Sequence, residues 1–220
     1  MKFNQFVIIG LGRFGSSIGR ELMQLGYEVL GVDRDEEKVE EMSGVLTHAV
    51  VADATEENVL RSVGARNFDC GVVAIGDDIQ ASILATILLK ELGVKKVVAK
   101  AVSELHGRVL ERIGVDRIIY PERDMGIRVA HQLVSPNLLD YIELSKQYTI
   151  AELNVPDCLS GKSLSEVNPR GRFGCSIVAI NKPKGIIIAP TASDVLAERD
   201  VMVVIGTNQQ IESFQHSIGQ

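Results

Sequence analysis

The chain has 220 residues, of which 45% are hydrophobic and 24% charged, a balance that excludes a disordered chain and suits one large domain or two unequal ones. Its formal net charge is −6 and it has no Lys/Arg run, which argues against nucleic acid as a partner. It also lacks a signal peptide and any apolar stretch near the ~20 residues that span a bilayer, so we expect a cytoplasmic protein.

Short apolar runs alternate with helical periods from Gln5 to about Val134. Because the runs are rich in Val and Ile and apolar on both faces, they indicate buried parallel strands. Six such strands are predicted: Phe6–Gly10, Glu28–Val32, His48–Ala52, Gly71–Ile75, Lys96–Ala101 and Arg117–Tyr120. The alternation predicts an α/β fold with a Rossmann-like doubly wound parallel sheet. The helix predicted at Ile79–Leu92 is apolar nearly all round, so we expect a second subunit to cover one of its sides.

The pattern changes after Ser135-Pro136-Asn137. The amphipathic piece Leu138–Leu144 is interpreted as a hinge or crossover element, with an ordinary connecting helix as the alternative. Beyond it, a small α+β C-terminal domain is predicted from strand-like runs and helical pieces: Tyr148–Val155, Cys175–Ile180, Gly185–Ala189 and Val201–Ile205, then Ser163–Val167 and Gln209–His216. Lys182-Pro183-Lys184-Gly185 is typical of a hairpin turn. The predicted division is therefore 1–134, 135–147 and 148–220.

The residues Gly10-Leu11-Gly12-Arg13-Phe14-Gly15 form a G-x-G-x-x-G motif between a predicted strand and a predicted helix, as a dinucleotide-binding fingerprint requires. Gly10 permits the tight turn, Gly12 lets the backbone approach a phosphate, and Gly15 allows close packing of helix on strand. The helix N-terminus then offers free N–H groups to the phosphates. The alternative is a glycine turn that serves packing alone.

A carboxylate for the ribose stands where this fingerprint needs it. Asp33 ends the second predicted strand, 18 residues after Gly15, and can accept hydrogen bonds from both ribose hydroxyls. The same carboxylate repels a 2′-phosphate and so disfavours an NADP-type ligand, although Arg34 leaves that ligand open.

Further candidate residues follow the ends of the other predicted strands: Asp53, Gly76, Lys100 and Glu122. Because ligands bind beyond the carboxyl ends of parallel strands, we expect Asp53 and Gly76 near the adenine and ribose, and Lys100 near the phosphates. Each of these residues alone is equally well explained as a solvated loop residue. The flanking residues Phe14, Ala54 and Ile75 complete the candidate nucleotide set.

The charge of Arg13 is not needed by a dinucleotide, although the residue lies inside the candidate phosphate loop. An extra cation there suits a third phosphate, or a phosphate bound by a neighbouring subunit. The alternative is an exposed arginine at the start of a helix.

The sequence shows no constellation of residues for a chemical reaction. Gly15-Ser16-Ser17-Ile18-Gly19 matches G-x-S-x-G, but Ser17 does not directly follow a strand, as a nucleophile elbow requires. The histidines have no metal-ligand spacing, and the three cysteines form no C-x-x-C. We therefore expect a ligand-binding protein and no enzyme. The alternatives that share the fingerprint are an NAD(H)-dependent oxidoreductase and an NAD(H)-sensing protein.

Taken together, the motifs resemble those of the cytoplasmic regulatory subunits of Ktr/Trk potassium uptake systems, and the Ktr type most. These subunits consist of an RCK N-domain and a small RCK C-domain. The resemblance spans essentially the whole chain and rests on the segments VIIGLGRFGSSI, VDRDEEKV, THAVVADATEENVLRSVGARNFD, VVAIGDDIQASILATILLKELG, VLERIGVDRIIYPERDMG and RGRFGCSIVAI.

The resemblance implies that the N-domain binds ATP or ADP, with NAD(H) as the ligand of Trk relatives. Arg13 matches a family arginine that reaches toward the nucleotide phosphate across a dimer interface. Glu122 matches an acidic residue associated with Mg²⁺ or another cation near the nucleotide. The family assembles as dimers within an octameric ring. This ring docks on a membrane potassium-translocating subunit at the inner face of the membrane and gates it.

The resemblance also implies a cyclic di-AMP site in the C-domain. Arg170 is expected to pair with a phosphate, and Ile177 and Pro190 are expected to contact a base. Ser176 stands where relatives carry Asn, which removes one expected hydrogen bond. The alternative is that these residues only build a small dimer core.

Overall fold

Six parallel strands form the predicted sheet in the computed structural model, which describes residues 4–135 and 137–218. They are β1 (Gln5–Ile9), β2 (Glu28–Asp33), β3 (His48–Val51), β4 (Cys70–Val73), β5 (Lys96–Lys100) and β6 (Arg117–Ile119). Their order in the sheet is β3-β2-β1-β4-β5-β6, which confirms the doubly wound fold. The carboxyl ends of all six strands therefore lie along one edge.

Helices follow these strands as the alternation predicted: α1 (Arg13–Gln24), α2 (Glu36–Ser43), α3 (Glu57–Ser62), α4 (Ile79–Glu91), α5 (Glu104–Ile113) and α6 (Pro121–Val134). A short 3₁₀ helix covers Ala65–Asn67. The polar side chains that α4 buries, Ser82 and Thr86, lie on its inner face, whereas Ile79 and Leu84 are exposed. Coverage of that outer face by a second subunit stays a prediction.

The core of this sheet lies on both of its faces, which explains why the strand runs are apolar throughout. Val7 and Ile9 belong to one buried cluster, together with Leu89 of α4. Ile8, which lies between them, belongs to the opposite cluster with Met42 of α2. Successive strand residues point to opposite faces, so a sheet covered on both sides needs apolar residues at every position.

The second part of the chain forms a five-stranded antiparallel sheet. Its strands are β7 (Leu138–Glu143), β8 (Tyr148–Asn154), β9 (Ser176–Lys182), β10 (Gly185–Ile188) and β11 (Val201–Thr207), in the order β10-β9-β11-β8-β7. Its helices are α7 (Leu164–Val167), α8 (Pro169–Phe173) and α9 (Asn208–Ile218), with a 3₁₀ helix at Asp157–Leu159. Strand β9 ends at Lys182 and pairs with Gly185, which confirms the hairpin turn. These elements confirm the small α+β domain.

One alternative from the sequence is wrong. The piece Leu138–Leu144 is not a connecting helix, because most of it forms β7 and pairs antiparallel with β8. Its interpretation as a hinge or crossover element stays a prediction. Leu138 is buried and Tyr141 packs against the second core, so burial on one face of a strand decides the conformation. Helix α8 was not predicted, and Pro136 of the predicted break lies outside the described residues.

The chain divides into two compact units, Met1–Glu122 and Arg123–Gln220. The division falls in the first turn of α6, whereas the sequence placed the end of the first domain at residue 134. In the part of the chain that the structure describes, no helix is both long and apolar enough to cross a bilayer.

Candidate functional site

The glycine-rich loop connects β1 to α1 and has the geometry of a phosphate-binding turn. Gly10 has φ +95°, a region that glycine adopts readily, and a Cβ there would lie 3.1 Å from the Ile75 nitrogen. A Cβ on Gly15 would lie 1.9 Å from the Gly10 oxygen, so this position must be glycine for α1 to pack. A Cβ on Gly12 would meet nothing within 4 Å, which leaves the backbone open to a ligand.

The N-terminus of α1 is available for an anion. Gly12 caps the helix without a side-chain hydrogen bond, and the first turn contains no acidic residue. The first N–H groups of a helix have no acceptor within it, and together they carry partial positive charge. Arg13 adds an exposed guanidinium at the same end. The loop therefore combines an open backbone, a helix dipole and a full positive charge.

The Asp33 carboxylate ties the end of β2 to this loop. Its Oδ2 accepts a hydrogen bond from the Leu11 N–H at 2.6 Å, and its Oδ1 accepts one from the Asp35 N–H at 3.0 Å. Each carboxylate oxygen can accept a second bond, so the group can hold ribose hydroxyls while it keeps both backbone bonds. Asp33 is half-buried, which fixes the orientation of the carboxylate.

The neighbouring strand end carries Asp53, whose Oδ1 accepts bonds from the Thr55 hydroxyl at 2.7 Å and the Thr55 N–H at 2.9 Å. These bonds lower the pKa of Asp53 below its ordinary value. Ala54 is buried in the core, so only its backbone can face a ligand. Half-buried Ile75 packs against the same core beside Gly10.

Arg34, the residue that left an NADP-type ligand open, has a carboxylate partner. Its Nη1 lies 3.6 Å from Asp78 Oδ2, and the Arg34 side chain is 64% exposed. The other Asp78 oxygen accepts from the Ala81 N–H at 2.9 Å and so caps α4. The Asp78 carboxylate therefore neutralises part of the positive charge of Arg34, which a 2′-phosphate would need as its partner.

On the other side of the loop, Lys100 brings together three of the predicted residues. Its Nζ donates to Glu122 Oε1 at 2.5 Å and lies 5.9 Å from the centroid of the Phe14 ring. A Cβ on Gly76 would lie 3.0 Å from the same Nζ. The hydrogen bond from Lys100 lowers the pKa of Glu122 below its ordinary value. Because Lys100 is buried, water screens its positive charge less than it would at the surface. That charge lies beside the glycine-rich loop.

Glu122 alone does not make a metal centre. Within residues 4–135 and 137–218, no group of three or more His, Cys, Asp or Glu side chains is close enough to hold a metal ion. A cation at Glu122 would need further oxygen ligands, which phosphates of a bound nucleotide can supply.

In the second unit, two of the predicted cyclic di-AMP residues touch. Arg170 Nε donates to Ser176 Oγ at 3.2 Å, which joins the start of α8 to the start of β9. Ile177 is half-buried against the second core. The Ala189 N–H donates to the Val178 oxygen at 2.9 Å, which keeps Pro190 beside β9. Ala189 has φ +51°, an uncommon conformation for a residue other than glycine.

Sequence reasoning missed three partners of the predicted residues: the Leu11 N–H, Thr55 and Asp78. Thr55 stands two residues after Asp53, a spacing that signals a local Asx-type turn. Asp78 precedes the apolar run of α4, which is an N-cap signal. The Leu11 contact has no local signal, because it joins residues 22 positions apart.

Comparison with known proteins identifies the family. The family model of the TrkA-N domain matches residues 6–121, and that of the TrkA-C domain matches residues 149–219. Ktr system potassium uptake protein A of Bacillus subtilis (strain 168) is 48% identical over 216 residues, covering 98% of this chain and 97% of that protein. Protein C of the same system is 45% identical over 214 residues and covers 97% of both chains. The chain belongs to the Ktr/Trk family of potassium-uptake proteins. The resemblance seen in the sequence is thereby confirmed.

Some solved structures that are similar to this Ktr/Trk-family chain contain a bound nucleotide. The GsuK channel bound to NAD is 26% identical with a TM-score of 0.54, and the match covers 100% of this chain. It covers only 39% of the GsuK chain, so this chain spans less than half of that protein. The Shewanella denitrificans Kef CTD in AMP bound form is 25% identical with a TM-score of 0.53, over 60% of this chain and 80% of that one.

Proposed function

We propose that this chain is a regulatory, non-catalytic subunit of a Ktr potassium-uptake system that binds an adenine nucleotide in the crevice around Gly12. One observation carries the proposal: the open backbone at Gly12 lies between the Asp33 carboxylate, which suits a ribose, and the Lys100 ammonium, which suits phosphates. The 48% identity to a Bacillus subtilis Ktr protein supports the potassium-uptake context.

ATP and ADP are the proposed ligands, and their difference is the proposed signal. A ligand shifts a conformational equilibrium only by its differential affinity for the two states, typically ~1–3 kcal/mol of coupling. Arg13 is an exposed cation at the phosphate end of the crevice, where a third phosphate can reach it from the same subunit or a neighbouring one. Glu122 is the proposed ligand of a Mg²⁺ or other cation that accompanies the nucleotide.

NAD(H) sensing is the second candidate, because the GsuK channel bound to NAD is a structural relative. Asp33 suits the ribose of NAD as well as that of ATP. The two candidates differ in charge, since NAD has no third phosphate for Arg13. An oxidoreductase would in addition need a substrate pocket and turnover.

The C-terminal unit is the proposed site of cyclic di-AMP. Arg170 uses its Nε–H to donate to Ser176 Oγ. The donors at the other two guanidinium nitrogens can pair with a phosphate. Pro190 and Ile177 would contact a base. The Ser176 hydroxyl accepts from Arg170 Nε, which favours a role in orienting the guanidinium.

The proposed assembly is a homo-oligomer of dimers, an octameric ring, that binds a membrane potassium-translocating subunit from the cytoplasmic side. Exposed Ile79 and Leu84 on α4 give it an apolar surface for another subunit. The division into an N-domain, residues 1–134, a connecting segment, residues 135–147, and a C-domain, residues 148–220, is part of the same proposal.

A thermal-shift panel tests these ligands directly, because a ligand that binds only the native state raises its melting temperature. The full chain is heated with ATP, ADP, NAD⁺, NADH or cyclic di-AMP, each with and without Mg²⁺. We expect stabilisation by ATP and ADP, and by cyclic di-AMP. Stabilisation by NAD⁺ or NADH alone would favour the second candidate, and no shift with any adenine nucleotide would overturn the proposal.

A further inference from the structure

The ammonium of Lys100 lies between the candidate phosphate loop and the first turn of α6. It contacts Glu122 in that turn and approaches Phe14 at the start of α1. The Lys100 side chain is only 11% exposed, whereas that of Glu122 is 69% exposed. The ammonium is therefore held in place by its surroundings, and the carboxylate is the partner with room to move away into solvent.

A phosphate that reaches Lys100 meets Glu122 as a competitor. With Glu122 Oε1 2.5 Å from Nζ, a phosphate oxygen bonded to the same ammonium would come within a few ångström of the carboxylate. Like charges at such a distance repel each other strongly, and more so beside a half-buried crevice than in bulk water. Phosphate and carboxylate therefore bind Lys100 less well together than either binds it alone.

We propose that, when no cation bridges the phosphates and Glu122, nucleotide phosphates and Glu122 compete for Lys100, so that nucleotide binding releases the first turn of α6 from the end of β5. This inference rests on the proposed nucleotide site and assigns Lys100 the role of a partner-exchange residue. Glu122 is the last residue of the first compact unit, and α6 continues from it into the second. Nucleotide binding would thus change the contact between Lys100 and Glu122, and Glu122 lies at the boundary between the two units in the sequence.

The test measures ADP affinity by calorimetry in Mg²⁺-free buffer, with the full-length chain. Glu122→Gln removes the competing charge, and we expect it to bind ADP about tenfold more tightly than the wild type does. The matched control is Asp124→Asn, which removes one negative charge from the same helical turn. Asp124 Oδ1 accepts from Arg123 Nε at 3.0 Å, whereas Lys100 bonds Glu122. The control should bind ADP within about twofold of the wild type. An equal gain in both variants would mean a general charge effect and would overturn the exchange.

A second pair of variants tests whether the gain passes through Lys100. Lys100→Met should weaken ADP binding about tenfold, and adding Glu122→Gln to it should change the affinity by less than about twofold. A gain that persists without the ammonium would overturn the proposal. If Lys100→Met does not fold, the comparison of Glu122→Gln with Asp124→Asn decides. Normal ADP binding with no gain in Glu122→Gln refutes the exchange alone, whereas a wild type that binds no adenine nucleotide refutes the proposed function as well.

Discussion

Asp33 and Leu11 are joined by a hydrogen bond of 2.6 Å from the Leu11 N–H to the Asp33 carboxylate. This bond fixes the glycine-rich loop against the end of β2, where the ribose of a bound nucleotide is proposed to lie. One side chain thereby shapes the loop and is the proposed ribose contact, so a change at Asp33 is expected to affect both the affinity for nucleotide and the local structure.

We expect Asp33→Asn to lower ADP affinity by about tenfold or more, because hydrogen bonds to a charged acceptor contribute roughly 1.5–3 kcal/mol each. Isothermal titration of ADP measures the loss. Asp35→Asn is the matched control, since Asp35 caps α2 through the Glu37 N–H and pairs with Lys38. An Asp33→Asn variant that binds as the wild type does would remove Asp33 from the ribose site.

Alanine substitutions at two glycines of the loop should have different effects, one on stability and the other on ADP affinity. Gly15→Ala should lower the free energy of unfolding by about 3 kcal/mol or prevent folding, because its Cβ would lie 1.9 Å from the Gly10 oxygen. Gly12→Ala should change stability by less than about 0.5 kcal/mol, since nothing lies within 4 Å of its Cβ. The same Gly12→Ala should nevertheless weaken ADP binding on the order of tenfold, because its methyl group would enter the proposed phosphate position. Urea unfolding and calorimetry separate the two effects, and unchanged ADP binding in Gly12→Ala would contradict the phosphate position.

Arg13 should distinguish ATP from ADP. We expect Arg13→Ala to bring the ratio of ATP to ADP affinity close to one and to leave ADP affinity within about twofold, because a charge-assisted contact is lost only with the third phosphate. Arg20→Ala, also exposed on α1, is the control and should keep the wild-type ratio. Equal losses for both nucleotides would show that Arg13 binds the phosphates that ATP and ADP share.

The first sheet and its glycine-rich loop were predictable because their signals are local. Val7, Ile8 and Ile9 are each apolar, and Gly10 and Gly15 stand at fixed offsets after them. Strand β7 was not, since its conformation follows from pairing with β8 and from burial of Leu138. The contact of Lys100 with Glu122 also depends on how distant segments meet, 22 residues apart. The pattern of the sequence predicts which strand a residue follows. It does not predict which distant side chain that residue contacts in the folded protein.

The buried His106 should make stability depend on pH. Its Nδ1 accepts a hydrogen bond from the Val102 N–H at 3.4 Å, and its buried Nε2 has no hydrogen-bond partner among the described residues. Burial lowers the pKa of His106 below the ordinary 6.5, so the folded chain favours the neutral ring. Between the folded and unfolded pKa values the unfolded chain binds more protons. Stability is therefore fully present above pH 6.5 and falls as the pH falls below it.

Melting temperatures of His106→Leu and the wild type, measured from pH 7.5 down to pH 5.5, test this dependence. We expect the wild type to lose more stability over this range than His106→Leu does. The exposed His48 supplies the control, and His48→Asn should keep the wild-type dependence. The same decline in His106→Leu would place the responsible proton elsewhere.

In the second unit, the ion pair of Lys182 and Asp200 should stabilise the β9–β10 hairpin. Lys182 Nζ donates to Asp200 Oδ2 at 2.6 Å and to the Val195 oxygen at 3.0 Å, and the Asp200 side chain is 2% exposed. The Ala197 N–H donates to the same Oδ2 at 2.9 Å. Removing the carboxylate would leave a half-buried ammonium and a backbone donor without their acceptor. We expect Asp200→Ala to lower the free energy of unfolding by about 3 kcal/mol, because breaking one side of a buried pair leaves the other charge uncompensated.

Urea unfolding measures this loss, with Lys184→Ala as the control. Lys184 lies in the exposed turn of the same hairpin, so its removal should change stability by less than about 0.5 kcal/mol. Asp200→Asn keeps an acceptor for Ala197 and loses only the charge, so it should fall between the control and Asp200→Ala. Equal stability of Asp200→Ala and Lys184→Ala would show that the pair contributes nothing, and that backbone pairing alone holds β9 and β10 in register.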